Sequence, residues 1–518
     1  MDLTVKFFLT LYFSVASILF LYGVHAYLMT FLFARSRREP ALGTPTVPDL
    51  PRVTVQLPIY NEYYVVRRLL TAAFTLDYPR DRLEIQVLDD STDDTSDIVR
   101  RMVGEARAEG LNVHHVCRGS RAGFKAGALR EGLRTSTGTL IAIFDADFVP
   151  PRDFLRRTIP YFEDPSIGMV QTRWGHLNED YSVLTRGQAI ALDGHFLIEQ
   201  TARHRSGCFI SFNGTAGVWR RSCIEDAGNW QEDTLTEDLD LSYRAQLRSW
   251  RFVFLPDVVC PAELPSELNA LKRQQFRWAK GSAQTMRKIL PILMRAPLPR
   301  RVKAQAFVHL TVHFVYPLML LLCVCAVPLI GIPEKYPQYE SFFRASTIFA
   351  LAGFGHPILY ACSQRVLHRT SWRRRLLYLP VIIAGSMGIA INNSRGIFEG
   401  MLGKRSDFER TPKYGLRSRS DHWRGKRYHV PFSALTLIEL AFAAYVFWGI
   451  DRAIRAESYV TLPFLVLYGA GFLYFGSLSL FQTAFLRAPR LGVTSPLASA
   501  LDPPAAGGRL ASDTLHAE

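Results

Sequence analysis

Apolar residues along this 518-residue chain are gathered into blocks. Residues 7–33 run FFLTLYFSVASILFLYGVHAYLMTFLF, with no formal charge and one histidine, and RSRR follows at once. A helix needs about 20 such residues to cross a hydrocarbon core of about 30 Å. The block is too long for the apolar core of a cleaved signal, and the basic residues behind it predict a cytoplasmic C-terminal end. Residues 34–300 hold no comparable block, but apolar runs return at 304–331, 343–363, 376–391, 432–450 and 458–486. Residues 488–518 are rich in Ala, Pro, Ser and Gly and are expected to be a disordered tail.

The block at 376–391, LLYLPVIIAGSMGIAI, is short and carries Pro380 and two glycines. HRTSWRRR precedes it, and KRSDFER and a second basic stretch to Arg427 follow. Positive charge wants both flanks in the cytoplasm, which one crossing does not allow. Residues 376–402 are therefore expected to be re-entrant or interfacial, leaving five crossings; a sixth ordinary crossing is the alternative. The expected organisation is a first membrane helix at 1–34, a cytoplasmic domain at 50–300 with interfacial helices near its end, helices two and three at 301–370, the re-entrant segment and a loop at 371–430, and helices four and five at 431–487.

Within the polar domain, RVTVQLPIYNE (52–62) predicts a strand ending at Pro58, and VVRRLLTAAFTL after it a helix. LEIQVLDDSTDD (83–94), NVHHVCR (112–118) and TLIAIFDADF (139–148) predict three more strands. Strands alternating with helical stretches argue a mostly parallel α/β sheet, in which ligands sit at the carboxyl ends of the strands. The acids gather at those ends. Asp145 and Asp147, alternate residues at a strand end, can face one hard divalent cation such as Mg²⁺ or Mn²⁺ and a diphosphate; a solvated turn is the ordinary alternative. Lys125 lies in the Gly/Ala-rich stretch RAGFKAGAL, which admits close backbone approach to a phosphate. Thr236-Glu237-Asp238 has the composition of a helix start, where acids cap or complement the dipole, although a carboxylate there also suits a general base. KRQQFRWAKGS (272–282) offers Gln274, Arg277 for a diphosphate and the Trp278 indole for a sugar ring, or else a basic amphipathic helix on the membrane surface.

Composition sharpens this picture. The net charge is +15, from 61 Lys+Arg against 46 Asp+Glu, and mean hydropathy is +0.05, an average over two unlike parts. Much of the positive charge flanks the apolar blocks, so lipid and a nucleotide diphosphate account for it without a nucleic acid. The seven cysteines are odd in number with no CxxC, so neither a disulfide framework nor a zinc site is expected.

In their order and spacing, Asp89-Asp90, Asp145-Ala146-Asp147, Thr236-Glu237-Asp238 and Gln274-x-x-Arg277-Trp278 resemble the membrane-embedded processive family-2 glycosyltransferases, which include cellulose, chitin, hyaluronan and mannan synthases. FKAGAL, IFDADF, FNGTAGVWR, TEDLDLSYRA, ELPSEL and QQFRW are most similar to the cellulose-synthase-like A enzymes, which make β-1,4-mannan or glucomannan. The resemblance implies a GT-A (Rossmann-like) α/β domain inserted in a multi-pass α-helical membrane domain, the catalytic face cytoplasmic, and inverting, processive transfer from GDP-mannose or UDP-glucose to a growing glycan that crosses the membrane. It implies that Asp90 and Lys125 contact the nucleotide with Tyr60 and Glu62 nearby, that Asp145 faces the diphosphate and that Asp147 binds Mg²⁺ or Mn²⁺. Asp238 is the implied base, beside Glu237. Gln274, Arg277 and Trp278 would frame donor and acceptor, and Phe212, Gly214 and Thr215 would lie near the acceptor end. Phe408-Glu409-Arg410-Thr411-Pro412-Lys413 resembles the FxVTxK gating loop of bacterial cellulose synthase: Phe408, Thr411 and Lys413 match, and Arg410 replaces the valine. Asn213 stands where cellulose synthases carry a cysteine, and control by a cyclic-nucleotide messenger is not expected. A bacterial inner membrane is the expected location, with membrane lipids as partners and export subunits left open. A non-processive lipid glucosyltransferase, making a glycosyl ceramide or glycosyl diacylglycerol, is the alternative. A transporter or inactive assembly partner fits the full set of acids poorly.

Overall fold

The computed structural model describes residues 3–37, 49–337, 344, 347–416, 418–423, 425–428, 433–459 and 461–487. The tail expected at 488–518 lies outside the described residues. The polar domain is built on a seven-stranded sheet: β1 (Val53–Ile59), β2 (Leu83–Asp89), β3 (Val113–Cys117), β4 (Leu140–Ile143), β5 (Ile167–His176), β6 (Gly217–Arg220) and β7 (Arg251–Ala262), in the order β3-β2-β1-β4-β6-β5-β7. Pairs β1–β2, β1–β4, β2–β3 and β5–β7 are parallel; β6 runs antiparallel to both neighbours. Helices cover the faces, so β1 and β2 are almost wholly buried even though apolar and polar residues alternate along them. Their polar side chains pair with one another: Thr54 Oγ1 donates to Glu84 Oε2 at 2.7 Å, and Gln56 Nε2 to Gln86 Oε1 at 3.1 Å.

This register assembles the site. Ile59 pairs with Asp89 and Gln56 with Ile143, so the carboxyl ends of β1, β2 and β4 lie side by side. Because β6 is antiparallel, Gly217 pairs with Ile143 and the preceding FNGTA turn arrives at the same edge. Strand β7 delivers Glu263 there, its N–H bonded to the Asp147 carbonyl at 3.2 Å. One expectation needs correction: β4 stops at Ile143, so Asp145 and Asp147 lie beyond the strand, in a turn closed by Phe148 N–H on the Asp145 carbonyl at 3.0 Å. Turn geometry, not strand alternation, brings the two carboxylates together.

The helix Leu268–Arg295 joins this domain to the apolar helices. It packs on Ala390–Met401 at glycines: a Cβ on Gly400 would meet the Lys280 carbonyl at 2.6 Å, and one on Gly396 the Phe276 carbonyl at 3.0 Å. Buried ion pairs fix its register, Lys272 Nζ to Glu439 Oε2 at 2.7 Å and Lys280 Nζ to Glu399 Oε2 at 2.8 Å. Three helices are long and apolar enough to cross a membrane among the described residues: Leu3–Ser36, Arg300–Leu329 and Leu462–Thr483. Trp372–Gly388 and Ala390–Met401 form a pair bent by 45°. The 343–363 block is broken, with described helices at Ile348–Ala352 and Gly355–Leu367.

Candidate active site

The strand ends and the loop after the bent helix pair enclose a cavity of about 200 Å³. On its floor, Lys125 Nζ lies 2.5 Å from Asp145 Oδ1 and 2.9 Å from the Gly214 carbonyl, with Glu237 Oε1 at 4.0 Å. Burial opposes the Lys125 charge, but the carboxylates of Asp145, Glu237 and Asp238 outweigh it and hold the ammonium above its ordinary range. Asp238 opens the helix Glu237–Leu247. Its Oδ1 accepts from Leu239 N–H at 2.8 Å. Burial, with the Glu237 charge beside it, pushes the Asp238 carboxyl up to about 7. Thr236 occupies the N-cap position but caps nothing, because its hydroxyl turns to the Thr285 hydroxyl at 3.1 Å.

The loop at 408–413 forms the opposite wall. Lys413 Nζ sits 2.6 Å from Asp147 Oδ2 and also bonds the Glu263 carbonyl. Arg410 reaches Glu62 at 3.0 Å, where burial lifts the Glu62 carboxyl to about 7 against the pull of Arg410. Thr411 Oγ1 accepts from Arg277 Nη2 at 3.0 Å, and the Arg277 guanidinium lies 4.4 Å over the Phe408 ring. Burial draws Arg277 down to about 10, opposed by Glu237 and Asp145. Each member of the FxVTxK-like match therefore contacts the strand-end side of the cavity or the Leu268–Arg295 helix. Arg410, the residue that departs from that pattern, does so too.

The structure brings Tyr60, Glu62, Asp90, Lys125, Asp145 and Asp147 to this cavity. Gly214, Glu237, Asp238, Gln274, Arg277 and Trp278 share it, the last three being one face of a helix at i, i+3, i+4. Phe212 and Thr215 are not brought in. Each is 1% exposed; Phe212 packs on Trp219 and Trp230, and Thr215 Oγ1 accepts from Asp145 N–H at 2.8 Å. Their expected place against an acceptor is corrected to one behind the wall, supporting the Asp145 turn. The sequence reading missed three groups. Arg118 Nε holds Asp90 Oδ1 at 2.9 Å, Arg121 lies 3.5 Å over the Tyr60 ring, and Glu263 receives Arg68 at 3.2 Å.

The donor set suits a hard divalent cation: two carboxylates on one turn, both facing the cavity, with a lysine ammonium already against Asp147 as a cationic stand-in. Left-handed backbone occurs at turns in the segments that form the cavity. Asn61, Phe124 and Ala216 have φ between 48° and 54°, and Gly214 has φ 82°. A Cβ at Gly214 would lie 3.0 Å from Asp238 Oδ2. Gly214→Ala is expected to cost about 1–2 kcal/mol in backbone strain and to lower turnover about tenfold or more by displacing Asp238. Turnover and thermal unfolding of the detergent-solubilised protein check this; unchanged turnover counts against the tight Gly214–Asp238 approach.

Residues 51–281 match the family described as "Glycosyltransferase like family 2". The chain is 37% identical over 421 residues to glucomannan 4-beta-mannosyltransferase 2 of Arabidopsis thaliana, covering 77% of this chain and 75% of that protein. It is 34% identical over 433 residues to glucomannan 4-beta-mannosyltransferase 1 of Oryza sativa subsp. japonica, covering 79% and 78%. Among solved structures, the mannosyltransferase PcManGT from Pyrobaculum calidifontis, in complex with GDP-Man and Mn2+, superposes with a TM-score of 0.50 at 22% identity, over 69% of this chain and 99% of that one. That likeness shows the GT-A fold.

Proposed function

The chain belongs to the family-2 glycosyltransferases, among the glucomannan 4-β-mannosyltransferases of the cellulose-synthase-like A group, and from that premise we propose that it is an inverting, processive synthase extending a β-1,4-linked mannan or glucomannan from GDP-mannose. It is a hexosyltransferase and a membrane protein with a GT-A domain. The donor, the linkage, inversion and processivity are what is proposed. The printed activity of the two relatives supports mannose; UDP-glucose is the second donor to test. The observation that carries the mechanism is the half-buried Asp238 carboxylate, raised to about 7, on the same cavity as Asp145, Asp147 and Arg277.

Inversion needs one displacement at the anomeric carbon, with a carboxylate taking the acceptor hydroxyl proton as the bond forms. Asp238 is assigned that task, and Lys125 offsets part of the charge of its neighbours Asp145, Glu237 and Asp238. The leaving diphosphate gains charge, which Arg277 and Lys125 offset in a desolvated pocket. Asp147, with Asp145 beside it, would hold the divalent cation, which when bound neutralises diphosphate charge. Trp278 offers an apolar face to the acceptor ring. Tyr60, stacked with Arg121, offers a platform for the base. Phe408, Thr411 and Lys413 cover the donor side as a gating loop. The catalytic domain is placed on the cytoplasmic face, with the bent pair at 372–401 interfacial and the glycan passing outward between the apolar helices; the plant origin of the named relatives gives no support to a bacterial inner membrane.

Isolated membranes containing the protein, given radiolabelled GDP-mannose, are expected to yield an alkali-stable polymer that β-1,4-mannanase degrades. Label confined to a chloroform-soluble glycolipid overturns the reading in favour of a lipid glycosyltransferase. Incorporation from UDP-glucose alone overturns the mannose assignment.

A further inference from the structure

The FNGTA turn places one polar side chain, Asn213, in the wall of the cavity that Gly214 and Asp238 also line. Its orientation is set by a chain of hydrogen bonds whose polarity is fixed at both ends. At one end, Gln200 Nε2 lies 3.0 Å from the Ser211 carbonyl, which only accepts, so that atom of Gln200 is a donor. The same nitrogen lies 2.8 Å from the Asn213 amide, which must therefore turn its Oδ1 toward Gln200. Asn213 Nδ2 is left facing His195 Nε2 at 3.3 Å. At the other end, His195 Nδ1 lies 2.9 Å from Glu199 Oε2. Burial favours a neutral Glu199, but Arg203 and His195 hold it well below the usual carboxylate range, so it is ionised and only accepts. The imidazole then has one consistent state: Nδ1–H donates to Glu199, and the Nε2 lone pair receives Asn213.

Gln171 Oε1 pins the Asn213 backbone N–H at 2.9 Å. His195 and Glu199 stand on a π-helical turn, Gly194–Gln200, whose wider winding is common at functional positions. Asn213 Nδ2 carries two hydrogens; His195 takes one, and no acceptor among the described residues takes the other. The reading requires an acceptor glycan in this cavity and so rests on the proposed function. We propose that His195, oriented by Glu199, is a positioning residue that locks the Asn213 amide so that its remaining N–H faces the acceptor sugar and donates to one of its oxygens. A cysteine at 213, as in cellulose synthases, has no amide to hold in this way, which makes the position a determinant of acceptor fit.

Poor acceptor placement lets water intercept the donor, so the ratio of polymer-bound to free hexose reads it directly. With labelled GDP-mannose and membranes holding the full chain, His195→Ala and Asn213→Ala are each expected to lower that ratio about tenfold, the scale of one lost oriented hydrogen bond, while donor KM stays within about twofold. His195→Gln, which keeps an acceptor toward Asn213 and a donor toward Glu199, is expected to recover most of the ratio. An unchanged ratio in both alanine variants overturns the inference, as does a donor KM that rises in step with it or no recovery in His195→Gln. A wild-type chain that transfers from neither GDP-mannose nor UDP-glucose overturns the functional reading itself, and this inference with it.

Discussion

Asp238→Asn is expected to lower hexosyl transfer by about 10³-fold, near the middle of the range for a positioned general base, while nucleotide-sugar affinity stays within about threefold. The exchange keeps the shape of the side chain and the bond from Leu239 N–H at 2.8 Å, but an amide takes no proton. Asp238 stands on the first turn of its own helix, Glu237–Leu247, apart from the segments that carry Asp90, Asp147 and Arg277, so its loss leaves those three in place. The pH profile gives a second readout. With the free carboxyl at about 7, the base is protonated and idle at lower pH, so kcat/KM rises about tenfold per unit toward pH 7 and levels above it. A variant with full transfer, or a wild-type enzyme whose kcat/KM is flat between pH 5 and 8, removes Asp238 from the role. Equilibrium binding of the donor to the variant separates lost chemistry from lost binding.

The acids that face the cavity are legible in the sequence for a simple reason. Strands β2 and β4 both close on apolar residues followed by an acid that marks the carboxyl end: Val87-Leu88 before Asp89-Asp90 at the end of β2, and Ile143-Phe144 before Asp145 just past β4. The Glu237-Asp238 pair is legible as a helix start and falls at one. The pairing of charges is not legible. Lys413 and Asp147 are 266 residues apart, and nothing local to either announces the other. The same holds for Arg410 on Glu62, read in sequence only as a departure from the FxVTxK pattern. Arg118 and Arg121 look like surface charge in a polar loop, yet one holds Asp90 and the other covers Tyr60. The FNGTA motif fails in a different way. Its residues wind around a tight turn, so the central Asn213 and Gly214 face the cavity while the flanking Phe212 and Thr215 are turned into the core. A motif marks a segment, and only the fold says which of its side chains are presented.

Removal of divalent cation is expected to reduce turnover by at least about 10²-fold, and Asp147→Ala to reproduce that loss in a form added metal does not restore. Asp145 and Asp147 lie on one turn, each facing a lysine, at 2.5 Å and 2.6 Å. Lys125 is additionally committed to Glu237 and the Gly214 carbonyl. Lys413 is held by Asp147 and the Glu263 carbonyl, on a loop that is also tied by Arg410 to Glu62. A dinegative donor brought into this cavity without added positive charge would meet Asp145, Asp147, Glu237 and Asp238 against only a few cations. Asp147 is the carboxylate whose lysine comes from a loop rather than from a helix packed on the sheet, so it is the one a metal ion can claim with the smallest rearrangement. EDTA followed by graded Mn²⁺ or Mg²⁺ in the membrane assay tests this: turnover should return with metal in the wild type and stay low in Asp147→Ala. Electron paramagnetic resonance of Mn²⁺ supplies a readout independent of turnover, with weaker binding expected in Asp147→Ala and tighter binding in Lys413→Ala, where the competing ammonium is gone. Undiminished turnover in excess chelator, or Mn²⁺ affinity indifferent to both substitutions, would take the metal away from Asp147.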